Sequence, residues 1–351
     1  MTPPADEVPG VEPEQSDLAG VLETIEGFLL GDAPSLTRVE VAERAGVPLE
    51  VAEQLWRLLG FPNQTDDAVA FTEADVTALT MTQDLMRMGI LSPDSQSALV
   101  RTWGRSFARL AEWETNLLAD VAMSAPDPQA GLAQVAASVL PHVESLQTYI
   151  WRRHLASAAS RLLTVASAGS ATTSLTVGFV DIVGYTSRSK NLDETELVAW
   201  LENFEDVATG IVVDHGGRII KTIGDEVLFA ADDPAAAAEI ALLMTERGAD
   251  DDDPFPNVRA GLAYGEVVSR LGDVFGPVVN IAARLTSVAR PGAVLVDTGA
   301  YEVLSGRSDT GDDEADTDGE SDGSPYRFRR TRRTPVKGYS RLQPWVLRRA
   351  R

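Results

Sequence analysis

From residue 172 onward the chain alternates short apolar runs with helical repeats, and the order of those runs limits the fold more than any other feature of the sequence. "LTVGFVDIVGYT" reads as a buried strand closing on a turn, and "DETELVAWLENFEDVATGIVVDHGG" as a helix stopped by Gly216 and Gly217. "RIIKTIGDEVLFA" reads as two short strands folded about Gly224–Asp225. "DPAAAAEIALLMTERG" supplies a second helix, with Asp233 as its cap and Pro234 in its first position. "NVRAGLAYGEVVSRLGDVFG" then gives strand, turn, strand and loop. The helix "PVVNIAARLTSVA" and the strand "AVLVDTGAYEVL" follow. Strand–helix–strand–strand–helix–strand is the split βαβ, or ferredoxin-like, plan. An α+β domain over residues 172–351 is therefore expected.

That plan sets the first and third strands side by side and antiparallel. Asp181 ends the first in "GFVDIVGYT", and Asp225 opens the third in "IGDEVLF". Taken singly, an Asp after Gly is an ordinary turn residue, and an Asp closing a strand is an ordinary cap. As neighbours they repel, and one takes up a proton unless a cation sits between them. Hard divalent ions take oxygen ligands and complete their shell with phosphate. The pair therefore points to metal-assisted phosphoryl transfer.

The rest of the chain bounds the context. Its 351 residues predict two domains. A formal charge of −23 is wrong for a surface that holds a polyanion throughout. The absence of cysteine excludes disulfides, thiolate metal sites and thiol catalysis. A cytoplasmic location fits, and with no apolar run long enough to span a bilayer, membrane association is at most peripheral. Residues 1–16, acidic and proline-rich, read as a disordered arm rather than a signal peptide.

Residues 17–168 read as an all-α domain with a long linker helix. "SLTRVEVAERAGVPLEVAEQLWRLLGFP" shows two short helices about a Gly46 turn, and Thr72 caps a third. Helical pattern resumes from about Leu132 to Ser167, with Pro141 kinking it or marking a second start. Residues 308–324 carry eight acids and no apolar residue larger than alanine, so a disordered loop is expected there. A basic run, "YRFRRTRRTPVKGY", follows directly.

"VGFVDIVGYTSRS", "GGRIIKTIGDEVLFA" and "GDVFGPVVNIAARL" resemble, in order, the motifs of class III nucleotidyl cyclases. The resemblance covers roughly residues 172–351. It implies a head-to-tail homodimer with active sites at the interface and two metal ions, Mg²⁺ or Mn²⁺, in each. Asp181 and Asp225 match the family's metal-binding aspartates, with the Ile182 carbonyl as a further ligand. Lys221 and Asp273 match the pair that reads adenine. Asn280 and Arg284 match the residues that orient ribose and stabilise the transition state, and Lys337 matches a lysine that grips the terminal phosphates. Asp181 and Asp225 of one chain would meet the other residues of its partner.

The residue types suit that chemistry. A carboxylate accepts from adenine N6 and an ammonium donates to N1, whereas guanine presents the opposite pattern, so Lys221 and Asp273 favour ATP over GTP. A GTP cyclase is the nearest rival. The other is a non-catalytic nucleotide-sensing or DNA-binding regulator, because the N-terminal half resembles the helix-turn-helix opening of MerR-like proteins. Four arginines against nine acids across residues 35–90 are the wrong sign for gripping phosphates, and no DNA partner is expected. The arrangement also resembles actinobacterial adenylyl cyclases whose N-terminal domain restrains the catalytic one, implying autoinhibition relieved by protons or a small apolar ligand. His142 and His154, on the stretch before the catalytic domain, are the candidate proton sensors.

Overall fold

The computed structural model describes residues 27, 29–89, 93–124, 126, 131, 134–167, 173–270, 272–308, 319–320, 324–336 and 339–350. The chain divides into two compact units, Met1–Ser160 and Arg161–Arg351. The arm expected over residues 1–16 lies outside the described residues.

The first unit is helical. Helices α1 (Arg38–Ala45), α2 (Leu49–Leu59) and α3 (Glu73–Arg87) enclose a core built on Leu36, Val41, Leu55, Trp56, Phe71 and Leu79. Local chemistry sets their ends. Thr37 and Glu40 form a reciprocal capping box at the start of α1, and Thr72 and Asp75 do the same for α3. Gly46 and Gly60 stop α1 and α2 in the left-handed conformation. Helix α4 (Pro93–Met123) follows, and a π-helical turn, Val135–Val139, leads into α5 (Leu140–Ser167). Leu140 N donates to the Val135 carbonyl, so the π-turn and α5 form one continuous helical run and Pro141 stands just after that turn.

The second unit holds β1 (Thr173–Ile182), α6 (Tyr185–Ser189), α7 (Glu194–Asp214), β2 (Arg218–Ile223), β3 (Glu226–Ala231), α8 (Pro234–Arg247), β4 (Val258–Arg270), β5 (Asp273–Phe275), α9 (Pro277–Val288), β6 (Val294–Val296) and α10 (Thr298–Ser305). It ends in β7 (Gly319–Glu320), β8 (Tyr326–Arg330), β9 (Thr334–Val336), β10 (Tyr339–Leu342) and β11 (Trp345–Arg349). The main sheet runs β2-β3-β1-β4-β6-β11-β8-β7, with β5 paired to β4. Its first four strands have the ferredoxin-like order expected from the sequence, and the later strands extend that sheet beyond β4.

Both faces of the sheet are buried, so its central strands alternate between two cores. Val180, Ile182, Val227, Phe229, Val258 and Ala260 face α7 and α8. Leu175, Val177, Phe179, Leu228 and Ala263 face α9 through Val278 and Ala282. Gly261 permits this second contact, because a Cβ there would collide with the backbone of Thr286 and Ala282. Most of the loop expected over 308–324 lies outside the described residues; within it, Gly319 and Glu320 pair with Phe328 and Arg327 of β8. Backbone pairing at a sheet edge needs no apolar side chain, which is why composition did not reveal it.

Candidate active site

The antiparallel register sets Glu226 of β3, Asp181 of β1 and Arg259 of β4 in one row across the sheet. Period-2 alternation turns that row toward the α9 face. Arg259 closes it. Its Nε and Nη2 donate to Oδ2 of Asp181 at 2.7 and 2.6 Å, and its Nη1 donates to the Ser287 carbonyl of α9 at 3.1 Å. Asp181 was identifiable from the sequence, whereas Arg259 and Glu226 were not singled out there.

Asp225 does not open β3 as expected. Ile223 pairs with Glu226, so Gly224 and Asp225 form a two-residue turn. Gly224 has φ 65°, a left-handed conformation that glycine adopts without strain. The Asp225 carbonyl accepts from Ile182 N at 3.2 Å, which docks the turn against the end of β1. Burial, with the Asp181 charge adding to it, holds the Asp225 carboxyl above its ordinary pKa despite the opposing pull of Arg259. Glu226 is pushed up to about 7, chiefly by burial and then by the charges of Asp181 and Asp225.

These residues fit a divalent cation. Three carboxyl groups share one guanidinium, and burial, with their mutual repulsion added to it, raises the pKa of Asp225 and Glu226, so the charged forms would gain from a cation there. The donors are all oxygen, the preference of Mg²⁺ and Mn²⁺. Among the described residues no group of three or more His, Asp or Glu side chains is arranged as a metal cage. A cation here would complete its shell from backbone, water or phosphate oxygen.

The other expected residues fall into two groups. Lys221 Nζ, on the exposed side of β2, donates to Asp273 Oδ2 at 2.5 Å. Exposed apolar residues stand on the same strands and on the adjoining β4: Ile223 on β2, Val268 on β4 and Phe275 on β5. Asn280 and Arg284 share the exposed face of α9, opposite buried Val278, Ala282 and Leu285. No hydrogen bond or ion pair among the described residues joins either of them to Asp181 or Asp225. Lys337 lies outside the described residues. His142 and His154 are both exposed on α5, and His142 Nδ1 lies 2.7 Å from the Ser138 carbonyl.

The second unit thus presents an acid row at the end of β1, a Lys–Asp pair joining β2 to β5, and an Asn/Arg face on α9. Residues 168–347 match the adenylate and guanylate cyclase catalytic domain. The chain is 38% identical to an adenylate cyclase of Streptomyces coelicolor, over 92% of this chain and 88% of that one. It is 36% identical to an adenylate cyclase of Glutamicibacter nicotianae, over 92% and 81%. It is 32% identical to a pH-sensitive adenylate cyclase of Mycobacterium tuberculosis, over 78% and 71%. The chain belongs to the adenylate and guanylate cyclase family, and within it to the actinobacterial class III adenylyl cyclases.

Proposed function

We propose that this chain converts ATP to 3′,5′-cyclic AMP and pyrophosphate at two equivalent sites of a head-to-tail homodimer, with the N-terminal unit as a regulator. The observation that carries the reading is the Lys221–Asp273 hydrogen bond, which joins the β2–β3 hairpin that docks Asp225 beside β1 to the start of β5. Asp273 accepts from adenine N6 and Lys221 donates to N1. Guanine would set acceptor against acceptor and donor against donor, leaving polar groups unpaired, and that makes the pair selective. Asn280 orients the ribose and Arg284 stabilises charge on the α-phosphoryl oxygens as the 3′-oxygen bonds to phosphorus and the bond to pyrophosphate breaks. Lys337 takes the terminal phosphates. The hydroxyl proton leaves to solvent.

Asp181 and Asp225, with the Ile182 carbonyl, would hold two divalent ions. When bound, these lower the pKa of the ribose hydroxyl and neutralise phosphate charge. The exposed apolar residues Ile223, Val268 and Phe275 favour a second copy as the cover of the hairpin. The membership of the chain supports a regulated enzyme, in which His142 and His154 are the proton-sensing candidates. No helix among the described residues is long and apolar enough to cross a membrane.

Cyclic AMP formation by the full chain, by residues 172–351 and by Asp225→Ala tests these statements together. Product from the full chain or the fragment but not from the variant supports the catalytic reading, whereas product from Asp225→Ala at the wild-type rate ends it. A fragment no faster than the full chain ends the autoinhibition reading. Unchanged activity–pH profiles in both His142→Ala and His154→Ala remove those residues as sensors.

A further inference from the structure

We propose that Arg259 is a built-in counter-cation that competes with the divalent metal for Asp181, so that metal entry requires Arg259 to leave. The inference rests on the proposed metal role of Asp181. It is carried by the cross-strand row. Asp181 has an acid directly opposite on β3 and a guanidinium directly opposite on β4. Like charges across a strand pair destabilise a sheet and opposite charges stabilise it. Arg259 is therefore the group that makes Asp181 tolerable at the end of β1 before any metal arrives.

Three features make this competition rather than shared binding. Nε and Nη2 both point to Oδ2, so the full fork of the guanidinium is spent on a single oxygen. A dication on the other oxygen of the same carboxylate would lie within a few ångströms of that guanidinium, in a pocket where Asp181 is only 16% exposed and solvent screens poorly. Arg259 also has somewhere to go. Nη1 is anchored on the Ser287 carbonyl and the side chain is 32% exposed, so the Nε edge can swing toward solvent while the anchor persists.

Isothermal titration of the full chain with Mn²⁺, without nucleotide, tests the proposal. Arg259→Gln should bind the metal about ten- to a hundredfold more tightly than wild type, the range set by losing a charge-assisted contact. Equal or weaker binding by Arg259→Gln overturns it, because a residue that merely orients Asp181 would weaken binding when removed. If the wild type shows no Mn²⁺ binding that Asp181→Asn abolishes, the metal role of Asp181 itself fails, which is a different result. A second readout needs only folded wild type. The Nε–H resonance of Arg259, assigned by its loss in Arg259→Lys, should lose its protection from solvent exchange as Mg²⁺ is added. A resonance that stays protected at saturating Mg²⁺ overturns the proposal independently.

Discussion

Replacing Lys221 with methionine isolates the base-reading proposal, because methionine keeps the apolar stem and removes only the ammonium. In the structure Lys221 and Asp273 satisfy each other at 2.5 Å. Adenine must therefore open an existing ion pair, and the net gain per contact is less than that of a fresh one. A hydrogen bond to a charged group contributes about 1.5–3 kcal/mol net, and the lower end applies here. That predicts a fall of about tenfold in kcat/KM for ATP. GTP should not share the fall, since its N1–H faces the same ammonium as a second donor. The ATP-to-GTP ratio should drop by about tenfold or more. Stability is the control. Lys221 is 45% exposed and Asp273 26%, so the pair contributes at most about 1 kcal/mol. The melting temperature should move by no more than about 4 °C. The assay is initial rates of cyclic AMP and cyclic GMP formation at subsaturating nucleotide with Mn²⁺. An unchanged ratio, or equal losses for both nucleotides, refutes base reading by Lys221.

Three further outcomes follow from the geometry. Asp225→Asn should abolish cyclic AMP formation, by about a thousandfold or more, while leaving the melting temperature equal to or above wild type, since it relieves a crowded set of acids; a large loss of stability would show the turn, not the charge, to be the role. Gly261→Ala should destabilise the fold by about 1–3 kcal/mol, read by denaturant unfolding, and should also lower activity, because the new Cβ pushes α9 and with it Asn280 and Arg284 off the sheet. Buried Asp297 caps α10 by accepting from Ala300 N at 2.8 Å and is raised by burial from 3.8 to about 6. A raised carboxyl binds more protons in the native state, so it contributes stability below pH 4 that is lost as pH climbs to about 6, at most about 3 kcal/mol. Asp297→Asn keeps the acceptor and should flatten that decline in unfolding free energy between pH 4 and 6.

The parts of the site that were legible in the sequence are those set by local chemistry. Gly224 marks the hairpin because only a left-handed turn joins two strands in two residues. The alternation of Val177, Phe179 and Asp181 against Val180 and Ile182 already states that Asp181 shares a face with a buried row. The off-by-one placement of Asp225 has a local cause as well. Whether the turn takes Gly224 alone or Gly224 and Asp225 depends on which carbonyl closes it, and the Ile223–Glu226 pairing decides that.

Arg259 was illegible for a different reason. A hairpin fixes its own register, but β1 and β4 are joined by three helices and two other strands, and nothing local says which residue of β4 faces Asp181. In a strand with both faces buried, a shift of one residue would bring Ala260 or Val258 opposite Asp181 and carry Arg259 into the core of α7 and α8. Only one parity keeps the guanidinium out of that core, and the same parity sets Gly261 under α9, where a larger residue cannot fit. Packing of α9 and placement of the counter-cation are thus one constraint. Changes at Gly261 and at Arg259 should therefore be coupled: a shift of α9 also moves the Ser287 carbonyl that anchors Arg259. A double-mutant cycle of Gly261→Ala and Arg259→Gln should show a coupling above about 0.5 kcal/mol in stability, whereas strict additivity would separate the helix contact from the charge row.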